Sequence, residues 1–90
     1  MKHLLQQSVK LRGMEIGRVV DVIFDRDSER VLGYEVRCRD QRHRFLPAGA
    51  ASQVDGSITI DSPFALLDAD ELDFYRRRGR TLRTRSESAA

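Results

Sequence analysis

The 90 residues carry 16 Lys and Arg against 14 Asp and Glu, for a net charge of +2, with 40% hydrophobic and 33% charged residues. A chain this short makes one domain that buries only about 60–65% of its unfolded surface, so its stability margin is thin and subunit association is a common remedy. No apolar run nears the ~20 residues of a membrane helix, residues 1–7 lack the apolar core and cleavage site of a secretory leader, and the lone Cys38 cannot form an internal disulfide, so a soluble, cytoplasmic protein is expected.

In chain order, residues 1–7 are a short lead-in. Residues 8–12 alternate, with Val9 and Leu11 on one face, and predict a first strand. A turn is expected at Gly13, Met14 and Glu15. Gly17 follows at the mouth of the second strand, where a missing side chain allows a bulge or a close backbone approach. Residues 16–39 then read as a hairpin. Ile16, Val20, Val22 and Phe24 share one face, with Arg18 as the polar exception. After the turn at residues 25–30, whose Asp and Ser side chains can bond their own backbone, Leu32, Tyr34, Val36 and Cys38 point inward. Val31, Gly33, Glu35, Arg37 and Arg39 then point outward.

Asp40 and Gln41 predict a turn, and residues 42–46 a further strand that Pro47 ends. Residues 48–51 suit a short helical turn. Residues 52–54 and 57–60 form a second hairpin around Asp55-Gly56, a type I′ turn signal. Phe64, Leu66 and Leu67 are expected to lie over the mouth of the barrel. Asp68 is the expected N-cap of a helix, with Glu71 completing a capping box. Acids early and Arg76, Arg77 and Arg78 late suit the helix dipole, Leu72 and Tyr75 face the barrel, and Gly79 stands at C′. The expected organisation is a β-rich domain over residues 1–67, an amphipathic helix over 68–79 and a disordered basic tail over 80–90. The fold class is mainly β, a small barrel of short antiparallel strands with a C-terminal helix.

Particular residues sharpen this. Val9-Lys-Leu-Arg-Gly-Met-Glu-Ile-Gly-Arg-Val-Val-Asp-Val-Ile-Phe-Asp25, with Gly17 and Asp21 at the marked positions, resembles the opening of the PRC-barrel family. Arg30-Val-Leu-Gly-Tyr-Glu-Val36 resembles the family's next strand, Phe45-Leu46-Pro47 its apolar-apolar-Pro signature and Ile58-Thr-Ile60 its closing strand. The resemblance spans residues 8–61. Ser28-Glu29 stands where the family often has a turn glycine, and Ala48 where it often has a bulky aromatic, so no binding surface carries over. The family includes the cytoplasmic domain of the photosynthetic reaction centre H subunit and the C-terminal half of a ribosome-maturation factor. The resemblance therefore implies docking to a protein or ribonucleoprotein assembly rather than catalysis.

The residues themselves supply little chemistry. Nucleophilic catalysis needs a Ser or Cys beside a His and an orienting acid. His3 lies in the lead-in, His43 reads as an ordinary edge residue between Arg42 and Arg44, and Cys38 as core filler. Asp21, Asp25, Asp27 and Glu29 cluster, but without the glycine and closing glutamate of a calcium loop they read as a solvated acidic turn. No enzyme activity, metal or cofactor is expected. The candidate partner-binding residues are two basic sets. Arg37, Arg39, Arg42 and Arg44 flank one turn, and Arg76, Arg77, Arg78 and Arg80 lead into the tail. Either could grip phosphates. The expected function is a protein-interaction module, as a homodimer, with a ribosome- or RNA-associated assembly factor as the alternative.

Overall fold

A computed structural model describes residues 5–82. The strands are β1 (Ser8–Leu11), β2 (Met14–Asp25), β3 (Val31–Cys38), β4 (His43–Pro47), β5 (Ser52–Val54), β6 (Ser57–Ile60) and β7 (Gly79–Thr81), with one helix, α1 (Ala69–Arg78), before β7. The sheet runs β4-β3-β2-β1-β6-β5. Its ladders are antiparallel except β1–β6, which is parallel with Val9 opposite Ile58. No ladder joins β4 to β5 among the described residues, so the sheet curls without closing its hydrogen-bond circuit.

The long strand β2 organises this arrangement. Gly17–Phe24 pair with β3 on one edge, while Met14–Arg18 pair with β1 and Ile23–Asp25 with β7 on the other. The consecutive residues Asp21, Val22, Ile23 and Phe24 are all buried, so both faces of β2 are covered over its second half. The curl of the sheet encloses Val9, Val19, Val22, Phe24, Val36, Leu46, Ile58 and Ile60. Helix α1 covers the opposite face, where Leu72 meets Ile23 and Phe45, flanked by Leu32, Leu67 and Tyr75. Leu72 and Tyr75 thus face the sheet as the helical spacing requires. The Tyr75 ring stacks on Phe45 at 4.2 Å. Gly33 makes room for Phe45, since a Cβ there would lie 2.4 Å from both the Phe45 ring and the Leu46 carbonyl.

Several expectations are corrected. The ladder register shifts between Val19 and Asp21, so strand parity flips at that bulge and Val19, not Val20, joins Val22 and Phe24 in the core. The first turn is Arg12-Gly13, both at positive φ (53° and 84°), and Met14 already begins β2. Phe64 is 89% exposed rather than folded over the core; Leu66 and Leu67 alone turn inward. Asp68 caps α1 through its backbone carbonyl, which accepts from the Glu71 and Leu72 N–H groups, and its side chain makes no cap bond. Gly79 is extended (φ −110°) and leads straight into β7. Arg80 and Thr81 are accordingly ordered on β2, and Leu82 is buried, because the outer edge of β2 beyond β1 offers open backbone groups to pair. The rest of the expected tail, 83–90, lies outside the described residues, as does His3. Other expectations match: Asp55-Gly56 has the two positive φ values (49° and 78°) of a type I′ turn, and Asp25 Oδ1 accepts from the Asp27 and Ser28 N–H groups.

Candidate functional site

Strand β3 alternates Gly33, Glu35 and Arg37 toward the face that α1 covers. Glu35 was expected outward and solvated. It is instead only 3% exposed, because helix α1 and strand β4 close over it. A carboxylate so placed must be paired. Arg76 reaches down from α1 and its Nη2 donates to Glu35 Oε1 at 2.6 Å. From β4, His43 Nδ1 hydrogen-bonds the other oxygen, Oε2. One buried carboxylate thus clasps a strand on one side and the helix on the other. His43, expected as an ordinary edge residue, is half of that clasp. Asp21, opposite Glu35 in the ladder, is buried as well, and its Oδ1 accepts the Val22 N–H.

Above the clasp a groove of about 780 Å³ opens between β4 and α1. Its strand wall carries Arg42 and Arg44, and its helix wall Asp68, Asp70 and Asp73. The strand wall is held from below by the turn. Arg44 forks onto Asp40 with bonds of 3.1 and 2.9 Å, and the Arg42 N–H adds a third at 3.0 Å. The Arg44 bonds foremost hold the Asp40 carboxyl down to about 2. Asp40, and then the Cys38 thiol, push Arg44 upward. The outer edge of β4 is closed to strand addition at its centre. Phe45 exchanges both backbone bonds with Leu67 (2.9 and 2.8 Å), and Pro47 has no N–H to offer.

The two basic sets are divided differently from their order in the sequence. Arg37 stands opposite His43 on β4 and opposite Arg18 on β2, and Arg39 follows just past β3. Arg42, Arg44 and Arg76 line one groove, so the helix contributes Arg76 to the first set. The others turn away. The Arg78 guanidinium lies 4.8 Å over the Phe74 ring, the Arg77 carbonyl accepts from Arg26 at 3.2 Å, and Arg80 is exposed opposite Phe24. Six residues of strand, roughly 20 Å, separate the Arg80 end of β2 from Arg18. Glu35, His43 and Arg18 were not among the candidate site residues. The one acid of β3, between Tyr34 and Val36, is the available signal for Glu35; nothing local announces its partners. Cys38 is buried in the core as expected, and among the described residues no three of His, Cys, Asp and Glu converge on a point a metal could occupy.

A sequence model of the PRC-barrel domain matches residues 9–67. The chain belongs to the PRC-barrel family. No curated protein matches it. The match ends at Leu67, the residue that closes the β4 edge, so α1 and β7 lie outside the matched PRC-barrel segment. The groove therefore has one wall from the family domain and one from the C-terminal helix beyond it. Arg76, which ties the walls together, belongs to the second. No helix among the described residues is long and apolar enough to cross a membrane.

Proposed function

We propose that this PRC-barrel protein is a protein-interaction module that docks a partner in the groove between β4 and α1, acting by binding rather than by catalysis. One observation carries the reading: the groove's walls are of opposite charge, with Arg42 on one side and Asp68, Asp70 and Asp73 on the other, while Arg44 is forked onto Asp40, over an ion-paired floor. Such a surface favours a polar, charge-alternating segment of a partner and rejects uniformly charged ones, since complementary charge sets specificity and association rate more than raw affinity. The test is affinity capture from the native cell extract. The wild-type chain retains a discrete partner. Asp70→Lys with Asp73→Lys, both on exposed helix positions, loses it, and Arg77→Gln with Arg78→Gln keeps it. Capture unaffected by the groove charges contradicts the reading.

A second reading, self-association into a homodimer, is favoured by Phe64. Its ring is 89% exposed beside Pro63 and Leu66, which with Leu11 and Ile16 line a pocket of about 370 Å³. A two-fold axis allows each copy to place Phe64 in the other's pocket, as self-complementary patches do. The wild-type chain then sediments at twice its 10.3 kDa mass and Phe64→Glu at the monomer mass; a wild-type monomer at micromolar concentration removes this reading.

A further inference from the structure

We propose that the recess between the start of β2 and the end of β3 is a binding site for a phosphate monoester dianion, held by Arg18, Arg37 and Arg39. The recess has a volume of about 150 Å³, and these three arginines line it with Glu15 and Gly17. Arg18 and Arg37 are directly opposed in the β2–β3 ladder, an arrangement in which like charges destabilise a sheet unless an anion lies between them. Arg39 is brought alongside by its own N–H, which donates to the Ile16 carbonyl at 3.3 Å. Glu15 is the one acid in the lining, and it is already engaged by the Ser8 hydroxyl at 2.5 Å and Arg18 Nη2 at 3.4 Å. Among the described residues the Arg37 and Arg39 side chains make no hydrogen bond or ion pair. By contrast Arg44 is forked onto Asp40, and Arg76 is held by Glu35. The recess is thus left with two positive charges in excess.

That excess matches a phosphate monoester, which carries close to two negative charges near neutral pH and three acceptor oxygens. Guanidinium forks bind such oxygens in pairs. A nucleic-acid strand fits less well. Glu15 interrupts a continuous cationic track on one side, and no aromatic ring lines the recess for bases to stack on. The inference rests on the docking reading above, with the phosphate borne by a serine or threonine of the partner; free phosphate shares the chemistry.

The experiment is a titration of isotope-labelled full chain, followed by NMR at constant ionic strength. The probes are inorganic phosphate, a phosphoserine peptide, its unphosphorylated form and poly-uridylate. The expected result is saturable shifts at the Gly17 amide and at the Nε signals of Arg18, Arg37 and Arg39. Affinity falls about tenfold in Arg37→Gln, the loss of one charge-assisted contact, and is unchanged in Arg77→Gln. Arg39→Gln, at an exposed position past the strand, repeats the test without touching the ladder. Tighter binding of the phosphopeptide than of inorganic phosphate supports a partner-borne group, and equal binding supports the free ion; both uphold the site. Three results overturn it: no saturable shift with either phosphate probe, equal affinity in Arg37→Gln, or salt-sensitive binding of poly-uridylate alone. Silence toward phosphate with partner capture intact overturns only this site. Loss of the groove-dependent capture with phosphate binding intact overturns only the docking reading.

Discussion

Replacing Arg76 with alanine tests the clasp that holds α1 on the sheet. The substitution leaves Glu35, 3% exposed, with His43 as the remaining side chain of the clasp. Breaking a fully buried ion pair costs about 3–5 kcal/mol. Arg76 itself is 43% exposed, so water can enter where the guanidinium stood, and the loss falls nearer the ~2 kcal/mol of a single charge-assisted hydrogen bond. In a domain of this size 1 kcal/mol moves the melting temperature by roughly 4–8 °C, so Arg76→Ala melts about 8–16 °C below wild type. Thermal unfolding followed by circular dichroism reads this directly. The control is Arg76→Ala combined with Glu35→Gln. With no buried charge left to strand, the double variant recovers part of the loss relative to Arg76→Ala alone. A shift below about 2 °C for Arg76→Ala, or a double variant less stable than the sum of the singles, refutes the reasoning.

Neighbouring features lead to further expectations. Asp40 has its carboxyl held down to about 2 against an ordinary 3.8 by Arg44. A depressed folded-state value contributes stability that is present above pH ~4 and lost as pH falls toward 2. Asp40→Asn therefore shows a shallower loss of stability than wild type across that window in urea unfolding, and parallel curves would contradict this. Gly33→Ala places a Cβ 2.4 Å from the Phe45 ring and the Leu46 carbonyl. It destabilises by about 1–3 kcal/mol as an overpacked core does, measurable as a lower urea midpoint. Phe45→Ala removes the ring that packs with Ile23 and Leu72 and on which Tyr75 stacks, and costs about 3–5 kcal/mol by the same assay.

Period-two patterning and turn chemistry were enough to place β3, β5, β6 and the Asp55-Gly56 turn, because each is local: side chains two apart share a face, and aspartate and glycine accept positive φ. The long-range features were hidden for the opposite reason. The flip at the Val19–Asp21 bulge depends on how β3 registers against β2. The order of Gly79–Thr81 depends on an open edge of β2 that exists only once the sheet has formed. The site was half legible. A single turn groups Arg37, Arg39, Arg42 and Arg44, whereas Arg76 joins Arg42 and Arg44 through Glu35, a carboxylate 41 positions before it whose strand parity points to solvent. Alternation alone gives Glu35 the outward face of β3. What buries it is the helix, which lies outside the segment matched by the PRC-barrel domain. Arg77 and Arg78, next to Arg76 on α1, take no part in the groove because successive helical side chains point about 100° apart, and Arg80 lies beyond the helix on β7.

The claim that the groove is where a partner docks is tested most directly by site-specific photo-crosslinking in the native cell extract. A photoreactive residue is placed at Asp70 on the helix wall, and in a second chain at Asp55 on the β5–β6 turn, which lines no part of the groove. One discrete crosslinked partner is expected from position 70, abolished by adding Arg42→Glu on the facing wall, and none from position 55. A partner captured from position 55 and not from 70, or one indifferent to the Arg42 reversal, contradicts it.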